Sequence, residues 1–126
     1  AIMDVADLQK LISRLESEGS ETIVEGVHLI PGNYNQISKG VLEVLLDPLP
    51  QFHRAMFLNK GHSGLKTISD DESKRTEEYQ NTRLIQEYLI LRAKEKNIHI
   101  VRFQDFERLE IEVNELVLEH MKKLAG

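Results

Sequence analysis

The chain has 126 residues, 40% of them hydrophobic, with a formal net charge of −5 and no cysteine. That length is one domain or a large piece of one, and the acidic balance offers no general cationic footprint for nucleic acid or an anionic membrane. The missing thiols exclude disulfides and thiolate metal sites, and no apolar run approaches the roughly 20 residues that cross a bilayer. Ala1, Ile2, Met3 and Asp4 lack the basic start and long apolar run of a signal peptide, so a cytoplasmic protein is expected. Because the chain opens on Ala1 and runs almost directly into a helical pattern, an upstream part is expected to have been removed.

Residues 4–18 read as an amphipathic helix, with Val5, Leu8, Ile12 and Leu15 at helical spacing, Leu11 beside them and Asp4 as cap. Gly19 ends it. Residues 22–25 then form an apolar run that stops on Glu25 and Gly26 and continues through His28 to a turn at Pro31 and Gly32. That profile predicts a buried strand delivering a carboxylate to its carboxyl end. Residues 33–39 are polar and read as a covering loop or short helix. A second strand is predicted over 41–46, interrupted by Glu43 and ending at Asp47 and Pro48.

Pro48 or Pro50 can open the next helix, which carries residues 52–58. Residues 59–73 hold two glycines, several charges and few apolar side chains, and are expected to be a mobile loop. The longest helix is predicted over 74–96, with Tyr79, Ile85, Tyr88, Leu89 and Ala93 as its core stripe and Asn97 as terminator. Residues 98–103 read as a third strand. Asp105 caps a final helix whose stripe is Phe106, Leu109, Val113, Leu116, Val117, His120 and Leu124. Strands alternating with helices predict an α/β fold with a parallel sheet of about three strands.

If the sheet is parallel, Glu25, Asp47 and Asp105 lie on the same edge, where ligands of such sheets bind. Glu25 suits a Mg²⁺ held through water, or a base for a substrate hydroxyl; otherwise it caps a turn or pairs with a cation. Asp47 and Asp105 read first as helix caps. His28 stands just past a strand end, as a donor to an acidic ligand or as a structural turn residue. Arg54, Lys60, Lys66, Arg75 and Arg83 surround the 59–73 loop, where cations on a flap can close over phosphate; the interspersed acids Asp70, Asp71, Glu72, Glu77 and Glu78 equally suit a solvated face. Arg83 stands in an apolar run and is the one of these expected to point into a site. The five histidines show no pair at metal-ligand spacing, and no Gly-x-x-x-x-Gly-Lys-Ser/Thr loop occurs in these residues.

The segments Ser17-Glu18-Gly19-Ser20 and Ile23-Val24-Glu25-Gly26-Val27-His28-Leu29-Ile30-Pro31-Gly32 resemble the central part of archaeal 2-phosphoglycerate kinases, members of the P-loop kinase group. Phe52-His53-Arg54-Ala55-Met56-Phe57, Arg75, Tyr79 and the run from Arg83 to Leu89 resemble the same family, as does the closing strand and helix. The resemblance implies ATP-dependent phosphoryl transfer to a small phosphorylated acid, with Mg²⁺. It implies a metal or base role for Glu25, substrate contacts from Gly26, His28, Arg54 and Arg83, and a lid carrying Lys60, Lys66 and Arg75. It further implies that residues 1–126 are a single partial domain, the substrate and lid side of a longer kinase whose phosphate loop lies upstream. Such a chain is expected to be inactive alone, with a gap between 22–25 and 41–46 closed by dimerisation, strand exchange or closer pairing. A non-catalytic interaction module derived from the fold is the competing expectation, with a related kinase acting on another acceptor as a third.

Overall fold

The computed structural model describes residues 5–19, 21–25, 29–58 and 72–126. Its elements are helix α1 (Val5–Ser17), strand β1 (Val44–Pro48), helix α2 (Pro50–Leu58), helix α3 (Glu72–Glu95), strand β2 (His99–Phe103) and helix α4 (Phe106–Ala125). The class is α/β, and β1 and β2 pair in parallel with Val44 opposite His99 and Asp47 opposite Arg102.

Alternation along the strands decides what each face of this pair meets. Leu45 and Ile100 point to one face, where Leu45 is buried with Ile90 and Ala93 of α3 and with Ile98. Phe103, at the end of β2, meets Phe106 of α4 with ring centroids 5.9 Å apart. Phe52 of α2 stands edge-on to both rings, at 5.7 Å and 5.5 Å. Asn97 takes the left-handed conformation (φ 57°) that lets the chain leave α3 and turn directly into β2. Asp105 caps α4, its side chain accepting from the Arg108 amide at 2.7 Å.

Residues 29–43 are held by side chains rather than by a ladder. Arg92 of α3 donates from Nε to the Pro31 carbonyl (2.8 Å) and from Nη2 to Asn33 Oδ1 (3.1 Å). Glu43 accepts from the amides of Gly32 (3.2 Å) and Asn35 (3.1 Å). Gly32 has φ 96°, and a Cβ there would stand 2.5 Å from Lys96 Cγ, so both conformation and space require glycine. From α1, Gln9 donates to the Asn33 carbonyl at 2.6 Å. From α4, His120 Nε2 donates to the Lys39 carbonyl at 2.8 Å.

Four expectations need correction. Residues 21–25 are irregular, so the described residues contain two strands rather than about three; Ile23 is 90% exposed, and no strand among the described residues lies beside it to supply ladder hydrogen bonds. The strand predicted over 41–46 begins at Val44, because the Val41 amide closes a turn on the Ser38 carbonyl and Glu43 serves the 32–35 turn. On α3, Ile85 and Tyr88 lie exposed and Ile90 is buried, because the face that meets the strands carries Ile90 and Ala93. On α4, Phe106, Val117 and Leu124 are exposed, while Leu109, Val113, Leu116 and His120 are half-buried. The loop expected over 59–73 lies outside the described residues up to 71, and Glu72 and Ser73 belong to α3.

Between α1, residues 22–24 and residues 41–45 lies a hollow of about 210 Å³, walled by Ile12, Leu15, Val24 and Leu42 among others. Tyr34 lines it and is buried, and its hydroxyl has no hydrogen-bond partner among the described residues. Burial first, and then the Glu43 carboxylate, hold that phenol above the ordinary tyrosine range.

Candidate functional site

The carboxyl end of the strand pair gathers the polar groups. Asp47, two residues after Leu45, points to the same face of β1 and is 3% exposed. Arg83 and Gln86 meet it from α3. Arg83 Nη2 stands 3.6 Å from Asp47 Oδ1, and Gln86 Nε2 donates to that oxygen and to the Leu46 carbonyl, each at 3.2 Å. From the neighbouring strand, Arg102 places Nε 3.3 Å from Asp47 Oδ2. A buried carboxylate requires this company, since an unpaired charge away from water is costly.

Arg83 is engaged at every nitrogen. Its Nε donates to Glu87 Oε1 (3.0 Å) and its Nη2 lies 2.9 Å from the same oxygen. Its Nη1 donates to the Pro48 carbonyl at 3.0 Å and stands 3.4 Å from Nδ1 of His53. His53, 6% exposed on α2, packs edge-on against Phe57 and Tyr79, at 5.4 Å and 5.3 Å. Tyr79 donates to the Pro50 carbonyl at 3.2 Å, a second tie between α3 and the start of α2.

A guanidinium only donates, so the geometry suits a neutral His53 whose Nδ1 accepts and whose proton sits on Nε2. Burial lowers the His53 pKa most, Arg83 lowers it further, and Asp47 opposes them in part. The sign follows from linkage: the unfolded chain takes up the proton first. The stability that neutral His53 confers is therefore complete above the ordinary histidine value of about 6.5, and is lost as the pH falls from there through the lower native value. Thermal melts from about pH 7.5 down to about pH 5 should show this loss, and His53→Phe should flatten it. An unchanged slope in His53→Phe would place the effect elsewhere.

Of the candidate binding and lid residues named from the sequence, Arg83 joins this cluster, and it meets there Asp47, the strand-end carboxylate that reads first as a cap. Glu25 is exposed in the irregular 21–25 segment beside the hollow. Arg54 is exposed on α2, and Arg75 is half-buried on α3. Gly26, His28, Lys60 and Lys66 lie outside the described residues. Among the described residues, no group of three or more His, Asp or Glu side chains could hold a metal ion, and no helix is long and apolar enough to cross a membrane.

Sequence reasoning passed over Asp47, His53, Gln86 and Arg102 as site members. Asp47 reads as a helix cap because it precedes Pro48 and Pro50, but the backbone stays extended through Pro48 and carries the carboxylate into the interface with α3. The available signal was the polar pairing itself: an aspartate at one strand end and an arginine near the end of the other, both on a parallel pair.

Comparison with curated proteins finds a distant kinase relative. The chain is 26% identical over 117 residues to a 2-phosphoglycerate kinase of Thermococcus kodakarensis, an alignment covering 93% of this chain and 38% of the relative. The chain thus spans about two fifths of the length of the curated relative it matches. No family model matches the chain, and no solved structure matches it.

Proposed function

We propose that this chain is the substrate-side portion of an ATP-dependent small-molecule kinase, with 2-phosphoglycerate as the acceptor. The similarity to a 2-phosphoglycerate kinase along nearly the whole chain carries the reading. The polar cluster at the carboxyl ends of β1 and β2 supports it, since ligands of parallel sheets bind at that edge. In this reading Glu25 takes a Mg²⁺ or base role, Gly26, His28 and Arg54 lie on the substrate side, and Lys60, Lys66 and Arg75 serve a lid. Arg83, with its nitrogens occupied by Asp47, Glu87, Pro48 and His53, acts by holding α3 against the strand end.

The nucleotide does not fit these residues alone. No phosphate-cradling glycine loop occurs in the sequence, and the described residues gather no acidic cluster for Mg²⁺. ATP and Mg²⁺ therefore belong to the complete kinase, and the cradle comes from outside these 126 residues. The hollow beside residues 22–24 is where added backbone would seat, whether from the rest of the kinase or from a second copy.

The test is to assay the chain alone, and then joined to a segment carrying a phosphate loop, for ATP-dependent phosphorylation of 2-phosphoglycerate. Activity only in the joined protein supports the proposal. A joined protein that folds but binds no ATP in the presence of Mg²⁺ overturns it. One observation favours a second reading, a non-catalytic interaction module: Leu84 and Leu91 on α3 and Leu118 on α4 are more than half exposed, at 71%, 67% and 58%. A folded, ATP-silent protein that self-associates through these helices would favour that reading.

A further inference from the structure

We infer that Arg102 is the anion-contact residue of the strand-end cluster, with Asp47 as the group that positions it. This deepens the kinase reading, on which the choice of a phosphate-type oxyanion rests. Two arginines approach Asp47, and they differ in what they have left to offer. Arg83 spends its nitrogens on Asp47, Glu87, the Pro48 carbonyl and His53, and its side chain is 16% exposed. Arg102 is 55% exposed and meets Asp47 through Nε at 3.3 Å. Neither of its Nη groups makes a hydrogen bond to a described residue.

An ion pair whose nearest approach is through Nε leaves the outer edge of a planar fork to meet a second anion, and guanidinium matches phosphate oxygens in pairs. The strand register fixes the base of this arrangement, because Arg102 stands directly opposite Asp47. Asp47 is in turn held on its other oxygen by Gln86 and Arg83. Orienting the side chain before the ligand arrives reduces the ordering cost of binding. The cluster of Asp47, Glu87, Arg83 and Arg102 is balanced in formal charge, so phosphate alone should bind weakly.

The experiment is an NMR titration of the chain with inorganic phosphate at constant ionic strength, reading the arginine Nε–H signals and the backbone amides. Saturable shifts centred on Arg102 and on residues near 47 and 102 are expected. Arg102→Gln should abolish them, and Arg102→Lys, which keeps the charge but loses the fork, should weaken binding several-fold. Both variants should melt within a few degrees of the parent, because the side chain is half in water. Phosphate binding unaltered by Arg102→Gln, or no saturable binding to the parent, would overturn the assignment. The measurement needs no nucleotide and no transfer, so its outcome is independent of whether the joined kinase is active.

Discussion

Asp47→Ala should destabilise the fold by about 3–5 kcal/mol, the range seen when one partner of a buried ion pair is removed and the other is left behind. The group left behind is Arg83, whose side chain is 16% exposed and whose Nη1 is fixed on the Pro48 carbonyl. It cannot follow its partner into water without giving up the contacts that join α3 to the strand end. Gln86 loses an acceptor in the same step. Arg102 faces the opposite situation, being 55% exposed, and Arg102→Ala should cost less than about 1 kcal/mol. Urea denaturation of the two variants compares them directly. If Asp47→Ala and Arg102→Ala shift the midpoint equally, the carboxylate is not the keystone of this edge.

Phe103→Ala should cost a similar amount, about 3–5 kcal/mol, because it empties an aromatic site that cannot readily collapse. Phe103 is 8% exposed and shares ring contacts with Phe52 of α2 and Phe106 of α4, so one side chain fastens two helices to the end of β2. Native domains are stable by only about 5–15 kcal/mol, so this loss is a large fraction of the total. Phe103→Leu supplies a milder case: it keeps most of the volume and should lose less than about 1.5 kcal/mol. Circular dichroism melts of the pair would report both. An alanine variant as stable as the leucine variant would mean that the three-ring contact contributes little.

The sequence made the helices legible because their signals are local. Asn97 and Asp105 mark a helix stop and a helix start through their own backbone conformation and capping, and both act where the pattern places them. Pro50 opens α2 because a proline loses no hydrogen bond in a first turn. What was not legible depends on partners distant in the chain. The apolar run at 22–25 has the composition of a strand, yet a strand exists only where a neighbour completes its hydrogen bonds, and no described neighbour does so. Spacing alone puts Tyr88 on the buried stripe of α3, but the two strands cover only the face that carries Ile90 and Ala93. For the site, an arginine in an apolar run marked Arg83 as a residue expected to point into a site, and in the fold it lies among Asp47, Glu87, Pro48 and His53. Its saturation by Glu87, Pro48 and His53 could be seen only once the helix was packed.

The parallel pairing of residues 44–48 with residues 99–103 has a kinetic consequence. Each helix can begin from contacts a few residues apart, but the sheet must bring together segments separated by a large part of the chain, and closing so long a loop is entropically unfavourable before any ladder bond rewards it. The rate of acquiring the native state should therefore be set by how soon α2 and α3 dock and carry the two strands into register. The aspartate and arginine facing each other there would then be among the last groups to meet as the molecule forms.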